Sequence, residues 1–477
     1  MKRNLTLLTD FYELTMMNGY FEDGTHNNEA VFDMFFRYKP DLNYAIFAGL
    51  EQALDYVENL HFGEDEIDYL RSLGSFDERF LDYLKDFKFT GEIYSAVEGE
   101  VVFPGEPILI VKAPLAQAQL LETAILNIIG HQTLIATKTS RIVEAANGKS
   151  VIEFGLRRAQ GPDAGIYGAR ASIIGGCNGT SNVLAAKEFG LSCKGTFAHS
   201  WVMSFGSEIE AFRAYAKLFP DNCLLLVDTY DTLRSGVPNA IKVFDELAAT
   251  GHRPLGIRLD SGDLAYLSKQ ARKMLDEAGY TDAIIFVSGD IDEEVLTALN
   301  IQNAKIDVYG VGTRLITSEK TPSLGGVYKL SRIEIDGVKY DRMKISSTLE
   351  KMTNPGFKKV IRLYDKKTGM AAADLIALKD ETLTKPLTVT HEQDRWKKFT
   401  MNDYDAREIL VKVMENGKRI YECPPVAVSA QYAKEEKAKL WDEYKRLLNP
   451  NYYRVDISDK LYAVKQSFLH KIDDQVK

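Results

Sequence analysis

The sequence predicts an α/β protein: an irregular (β/α) barrel carried by a second, discontinuous α+β domain built from the N-terminal and C-terminal thirds. Three observations predict it. From Val151 to Thr313, short apolar runs alternate with helical patterns, and the strand ends Val227, Leu259, Val287 and Val311 are 32, 28 and 24 residues apart, the size of a βα unit. These runs are apolar nearly throughout instead of alternating, as in strands covered on both faces. On either side of this stretch the pattern turns to short strands and turns. The predicted boundaries are 1–145, 146–325 and 326–477.

In chain order, Asp10 and Glu13 form a capping-box pattern for a helix through Met17. Residues 30–37 (AVFDMFFR) read as a strand closed by Pro40, and helices follow around 47–60, 65–73 and 77–85. Turn groups at 98–100 and 104–107 divide 89–112 into about three strands. Residues 117–146 read as a buried helix broken near Gly130. The barrel strands are placed at 151–154, near Cys177, and at 196–198, 224–227, 255–259, 284–287 and 306–311. Seven candidates favour a barrel over a six-stranded open sheet. Pro238 in a first helical turn, and Gly251 and Gly279 at helix ends, punctuate the units. Asp336-Gly337 and Asn416-Gly417 each mark a hairpin, 359–364 and 371–378 flank a Lys-Lys-Thr-Gly turn, and these strands are expected to pair with those of 89–112. A charged amphipathic helix is expected over 429–448, followed by a loosely attached polar tail.

The net charge of −9, with no long basic stripe, argues against a nucleic-acid partner. No apolar run approaches the ~18 residues of a membrane span, and the N-terminus lacks a signal-peptide core, so a cytoplasmic location is expected. The four cysteines make no C-x-x-C pair and give no case for zinc.

Polar residues gather where the barrel strands end: Arg157 and Arg158, Asn178 and Thr180, His199, Asp228 and Asp231, Arg258 with Asp260, Asp290, and Gly312-Thr313-Arg314. In α/β proteins that edge binds ligands. Any single Asp or Ser there is explained by helix capping, and Asp263 and Asp290 need nothing more. A lone histidine is more often satisfied inside a core. Capping does not explain Arg258 inside an apolar strand, the adjacent Arg157 and Arg158, or His199 among carboxylates. Together the set describes an anionic ligand carrying hydroxyls: arginines for carboxylate or phosphate, aspartates for ribose hydroxyls or Mg²⁺, and glycine-rich turns for phosphate. Neither a P-loop nor a Rossmann fingerprint occurs.

The motifs Thr9-Asp-Phe-Tyr-Glu-Leu-Thr15, Leu121-Glu-Thr123, Glu153-Phe-Gly-Leu-Arg-Arg158, Gly195-Thr-Phe-Ala-His-Ser-Trp201, Arg258-Leu-Asp-Ser-Gly-Asp263 and Gly310-Val-Gly-Thr313 occur in this order. On them the chain resembles the nicotinate phosphoribosyltransferases, NAD-salvage enzymes of the type II phosphoribosyltransferase superfamily. The resemblance implies nicotinate, phosphoribosyl pyrophosphate and ATP as partners, Mg²⁺ as cofactor, and a homodimer with a shared active site. It implies that ATP phosphorylates His199 and that Asp228 orients it. Phe154 and Tyr12 would stack the pyridine ring, Tyr12 coming from the partner subunit. Arg258 and Thr196 would bind nicotinate, Asp260 and Asp290 the ribose hydroxyls, and Gly312 and Thr313 the 5′-phosphate. Arg157, with Arg37 and Lys39 as weaker candidates, would face the pyrophosphate. Related nicotinamide enzymes carry an aspartate after the Gly-Thr that matches Gly179-Thr180. This chain has Ser181, which favours the acid substrate because a carboxylate there would repel nicotinate. The alternatives weighed are a nicotinamide phosphoribosyltransferase, a barrel metal-dependent hydrolase or aldolase, and a non-catalytic nucleotide sensor. The hydrolase would call for more histidine ligands than the 7 His of this chain supply at strand ends.

Overall fold

A computed structural model describes residues 3–40, 42–346, 351–391, 394 and 396–476. The chain divides into two compact units, one of residues 1–137 with 323–477 and one of residues 138–322.

The first unit is organised on a sheet of seven strands drawn from both ends of the sequence. Its order is Val338–Asp341, Gly326–Ile335, Glu29–Phe36, Leu109–Pro114, Glu92–Ser95, Val411–Glu415 and Lys418–Arg419. Met34 pairs with Tyr328 on one side and with Leu109 on the other. Val411 pairs with Ser95, so one strand of the C-terminal third returns to those of 89–112, whereas Gly326–Ile335 pairs with Glu29–Phe36 and Lys358–Asp365 lies with Ala371–Leu378 in another sheet. Both hairpins form where a left-handed backbone is easiest: Asp336 and Gly337 have φ of 52° and 77°, and Asn416 and Gly417 of 50° and 72°. A second sheet orders Tyr404–Glu408, Lys358–Asp365, Ala371–Leu378 and Val455–Ile457. At its centre Arg362, 1% exposed, bonds Asp374 through Nε and Nη2 and Glu100 through Nη1. Removing one partner of such a buried pair costs about 3–5 kcal/mol.

Four expectations for this unit need correction. The Asp10–Glu13 capping box is not made: Asp10 is the N-cap of Phe11–Glu22 by position only. Glu13 instead turns into the core, where it accepts hydrogen bonds from Gln119 (2.8 Å) and Thr123 (3.2 Å). The helix at 429–448 is shorter, Val426–Ala438, because Leu440 turns fully into the core and a separate turn, Asp442–Lys445, follows. The tail is docked, since Val455–Ile457 pairs in parallel with Ala371–Leu378 and Leu461 is wholly buried. A fourth correction concerns the long buried helix. It runs unbroken through Gly130 as Glu122–Ala145, and the break falls at Leu121, after Leu115–Leu120. A helical glycine costs only about 1 kcal/mol relative to alanine. Burial of Ile125, Ile128, Ile129, Leu134 and Ile135 outweighs that.

The second unit is built on a parallel sheet in the order Ser150–Glu153, Val308–Val311, Ile284–Gly289, Gly256–Leu259, Leu224–Leu226. Leu224, Leu225 and Leu226 are all buried, as a strand covered on both faces requires. Helices return between the strands, and their starts are fixed by side-chain caps: Ser207 accepts from the Glu210 N–H, Asp263 from Tyr266 and Asp292 from Val295.

The expected barrel strands near Cys177 and at Thr196–Ala198 do not form among the described residues. Single parallel bridges, Glu153 with Thr180 and Thr180 with Cys193, extend the sheet beyond Ser150–Glu153. Past Cys193 the backbone leaves the ladder, and among the described residues 196–198 does not pair with Leu224–Leu226 to close a ring. Three apolar residues are too few to hold a strand without a partner backbone.

Candidate active site

The C-terminal ends of the five parallel strands place Phe154, Gly312, Gly289, Asp260 and Asp228 along one edge of the sheet. His199 reaches the same place by another route. It is the first residue of the five-residue helix His199–Met203, with Ala198 at the N-cap position, and not the end of a strand. Its Nδ1 lies 3.1 Å from Thr229 Oγ1. Its Nε2 lies 3.9 Å from Asp228 Oδ1 and 3.9 Å from Asp260 Oδ2. The ring is thus held on one side by a hydroxyl and faces two carboxylates on the other.

Asp228 is the most enclosed of these groups, with a side chain 2% exposed. Its Oδ2 accepts from the Asp260 N–H (2.7 Å) and from Ser261 Oγ (2.8 Å). Its Oδ1, the atom that faces His199, is buried and has no hydrogen-bond partner among the described residues. An unsatisfied buried acceptor is rare enough to point to a role beyond packing. At 3.9 Å the two atoms stand beyond hydrogen-bond range, so a small turn of either side chain makes the bond.

Arg258 sits in the strand Gly256–Leu259 with its side chain 14% exposed. Its Nη2 donates to Asp260 Oδ1 (2.8 Å), its Nε to Ser288 Oγ (2.8 Å) and its Nη1 to Thr196 Oγ1 (3.1 Å). Ser288 in turn donates to Asp260 Oδ1. Burial pushes the Asp260 carboxyl up, but the Ser288 hydroxyl, the Arg258 guanidinium and His199 together hold it below the usual carboxylate value. The guanidinium lies 5.6 Å from the Phe154 ring centre and 6.0 Å from that of Phe286. The two rings are stacked, with centres 5.6 Å apart and planes at 22°. Gly310 makes this possible: a Cβ there would stand 2.8 Å from both Phe154 Cδ2 and Phe286 Cε1. A flat aromatic floor beside a planar cation suits a flat, anionic ring.

The loop after Ser150–Glu153 is fixed by Glu153, which is buried and accepts from Thr180 Oγ1 (2.6 Å) and from the Gly155 N–H. Burial raises the Glu153 carboxyl, and these two donors partly offset it. The Glu153 carbonyl also accepts the Ser181 N–H at 2.9 Å, which brings the 179–181 turn to the same edge. Gly312 packs against the Phe154 carbonyl, 3.1 Å from where its Cβ would be, and Thr313 opens the short helix Thr313–Ile316.

The sheet edge therefore brings together His199, Asp228, Arg258, Asp260, Thr196, Phe154, Ser181, Gly312 and Thr313. Arg157 is exposed on the turn Leu156–Arg158, and Asp290 is exposed just past Ile284–Gly289. Asp290 is not the helix cap, since Asp292 fills that place. Tyr12 belongs to the other unit, on the helix Phe11–Glu22, where it is 45% exposed. Also in that unit, Lys39 donates to the Ser323 carbonyl at 2.6 Å and Arg37 follows the strand Glu29–Phe36. Sequence reasoning missed Thr229, Ser261, Phe286 and Ser288. Thr229 and Ser261 each follow an aspartate already singled out, and Ser288 is the polar residue that ends an apolar strand.

Known proteins resemble this chain over most of its length. Family models of the nicotinate phosphoribosyltransferase (NAPRTase) N-terminal domain, family and C-terminal domain match residues 7–130, 150–361 and 357–465. The nicotinate phosphoribosyltransferase of Bacillus subtilis (strain 168) is 47% identical over 99% of this chain and 97% of its own. The Homo sapiens enzyme is 32% identical over 97% of this chain and 96% of its own. The crystal structure of human nicotinic acid phosphoribosyltransferase superposes with a TM-score of 0.85 at 30% identity, covering 96% of this chain and 99% of that one. A nicotinate-nucleotide pyrophosphorylase from Pyrococcus furiosus shares the fold, with a TM-score of 0.70 at 22% identity over 92% and 97% of the two chains.

Proposed function

We propose how this site works from one premise: the chain belongs to the nicotinate phosphoribosyltransferase family. It joins nicotinate to phosphoribosyl pyrophosphate, giving nicotinate mononucleotide and pyrophosphate for NAD salvage. ATP and water are consumed alongside, giving ADP and phosphate. The pyridine nitrogen lone pair forms the new bond to ribose C1 while the bond from C1 to the pyrophosphate oxygen breaks. That lone pair is free at neutral pH, so no general base is needed. The protein contributes position and charge stabilisation. Phe154 and Phe286 supply an aromatic floor, Arg258 pairs with the substrate carboxylate, and Asp260 and Asp290 take the ribose hydroxyls. Gly312 and Thr313 receive the 5′-phosphate and Arg157 the pyrophosphate. Tyr12, on an exposed helix face, closes the pyridine site of a partner subunit in a homodimer.

Mg²⁺ enters as part of the phosphoribosyl pyrophosphate substrate, on its pyrophosphate oxygens. Among the described residues no group of three or more His, Cys, Asp or Glu side chains is arranged to hold a metal ion by itself. Among those residues, too, no helix is long and apolar enough to cross a membrane, and we place the enzyme in the cytoplasm.

The observation that carries the ATP-coupled reading is the ring of His199, whose Nε2 stands 3.9 Å from both Asp228 and Asp260 while Nδ1 meets Thr229. With Thr229 accepting from Nδ1–H, Nε2 is left as the nucleophile for the ATP γ-phosphoryl group, and Asp228 and Asp260 beside it stabilise the cation that forms. Water then cleaves the N–P bond after transfer. In the test, purified enzyme is given phosphoribosyl pyrophosphate and Mg²⁺ with nicotinate or nicotinamide, each with and without ATP. Wild type converts nicotinate faster with ATP and carries an acid-labile phosphoryl label. His199→Asn is expected to lose the label and the nicotinate-dependent ADP release. Intact coupling in His199→Asn would sink the phosphohistidine, and preference for nicotinamide would overturn the choice of base.

A further inference from the structure

Arg258 is nearly saturated by its own protein. A guanidinium carries five N–H groups. Nε is taken by Ser288 Oγ, Nη1 by Thr196 Oγ1 at 3.1 Å and by the Phe197 carbonyl at 3.4 Å, and one N–H of Nη2 by Asp260 Oδ1 at 2.8 Å. A single N–H remains, whereas a carboxylate held in two-pronged fashion takes two. At least one internal bond must therefore yield when nicotinate binds. Thr196, Phe197 and Ser288 offer neutral acceptors. The bond to Asp260 is the one whose exchange replaces a carboxylate by a carboxylate and so keeps the charge on Arg258 balanced.

Asp260 is able to make that exchange. Its backbone N–H is clamped by Asp228 Oδ2 at 2.7 Å, so the residue stays in place while its side chain turns. Turned away from Arg258, it becomes an unpaired, half-buried anion, which is costly unless new donors meet it. Its Oδ2 already stands 3.9 Å from His199 Nε2. Ribose hydroxyls are donors of the kind required. Ser288, 3% exposed, binds both partners at once: it accepts from Arg258 Nε and donates to Asp260 Oδ1. It keeps its grip on Arg258 after Asp260 leaves.

We propose that Asp260 is a built-in stand-in for the substrate carboxylate on Arg258, which the ribose hydroxyls of the phosphoribosyl substrate draw away, so that nicotinate and the sugar phosphate bind with positive coupling. Ser288 is the positioning residue that keeps Arg258 aimed during the exchange. The inference rests on reading this edge as the nicotinate and phosphoribosyl site.

The test measures equilibrium binding of nicotinate by calorimetry, alone and with saturating ribose 5-phosphate, a sugar phosphate with no leaving group. In wild type the sugar phosphate is expected to tighten nicotinate at least about tenfold, equivalent to about 1.4 kcal/mol of coupling. Nicotinate must tighten the sugar phosphate by the same factor. Asp260→Asn keeps the clamped backbone but presents a neutral amide to Arg258. It is expected to bind nicotinate without help and to bring the coupling close to onefold. Ser288→Ala should weaken nicotinate under both conditions, and Ser288→Thr should restore it. Equal nicotinate affinity with and without ribose 5-phosphate in wild type, or undiminished coupling in Asp260→Asn, would overturn the stand-in and leave the site reading standing. A folded wild-type protein that binds nicotinate under neither condition would overturn both.

Discussion

Gly310→Ala is the most direct probe of the aromatic floor. The added methyl would lie 2.8 Å from Phe154 Cδ2, 2.8 Å from Phe286 Cε1 and 2.9 Å from Phe154 Cε2. Ordinary carbon contacts begin near 3.5 Å, so both rings must retreat by several tenths of an ångström. Phe286 is 6% exposed and sits inside the strand Ile284–Gly289, which is paired on both sides, so it has little room. Phe154 is partly exposed at a strand end, although its N–H is tied to the Val311 carbonyl at 2.8 Å. Phe154 is therefore the ring that gives way. Overpacking of this kind costs about 1–3 kcal/mol. For a unit of this size, that is a fall in Tm of roughly 2–12 °C. Since Phe154 forms the open face of the floor, the functional effect falls on nicotinate: its KM rises about fivefold or more, while the KM for phosphoribosyl pyrophosphate moves less than about twofold. The measurements are a thermal melt and initial rates with each substrate varied in turn. A lower Tm with both KM values unchanged would show that the ring pair is core packing and not the pyridine site. An unchanged Tm would refute the packing argument itself.

Two further predictions follow from single contacts. Thr229→Val removes the hydroxyl 3.1 Å from His199 Nδ1 and is expected to slow labelling of His199 by ATP about tenfold, as one hydrogen bond allows, while Thr229→Ser restores the rate; rapid-quench labelling reads both, and full-rate labelling of the valine variant would remove Thr229 from the mechanism. Burial raises the Glu13 carboxyl from the usual 4.5 to about 7, so in the folded chain it holds a proton that the unfolded chain has already released; its contribution to stability is complete below about 4.5 and is lost as pH rises through 7. Glu13→Gln should then raise the Tm more at pH 8 than at pH 5, and an equal shift at both values would refute that linkage.

The elements most legible in the sequence were those that depend on local chemistry. Asp336-Gly337 and Asn416-Gly417 make hairpins because their backbones take the left-handed conformation with little strain. The strand ends at Asp228, Asp260 and Ser288 were visible because an apolar run stops there. Less legible was whatever depends on a distant partner. Thr196–Ala198 has the composition of a strand but pairs with no strand among the described residues, so His199 is delivered by a helix start instead. Val455–Ile457 lies in a polar tail and becomes a strand only because Ala371–Leu378 offers an edge. Asp10 and Glu13 match a capping box, but Gln119 and Thr123 offer Glu13 other bonds from more than a hundred positions away. Ser288 meets Arg258 because parallel register sets Phe286 opposite Arg258 and Ser288 one pleat further on, and Thr229 meets His199 from the loop after Leu224–Leu226; no spacing rule predicts either contact.

The seven-stranded sheet also has a consequence in time. On the ribosome, Glu29–Phe36 emerges early, but one of its neighbours, Gly326–Ile335, is made only after nearly three hundred further residues. At roughly 5–20 residues per second this delay is on the order of tens of seconds. Within that interval the whole of residues 138–322, a contiguous stretch, has been synthesised and can fold. The nascent chain thus completes its five-stranded parallel sheet first, while Phe32, Met34 and Phe36 await the partner that will cover them. An unpaired apolar edge is what chaperones bind and what aggregation seeds from, so the demand of this protein on the cell's folding machinery is concentrated in its first hundred residues.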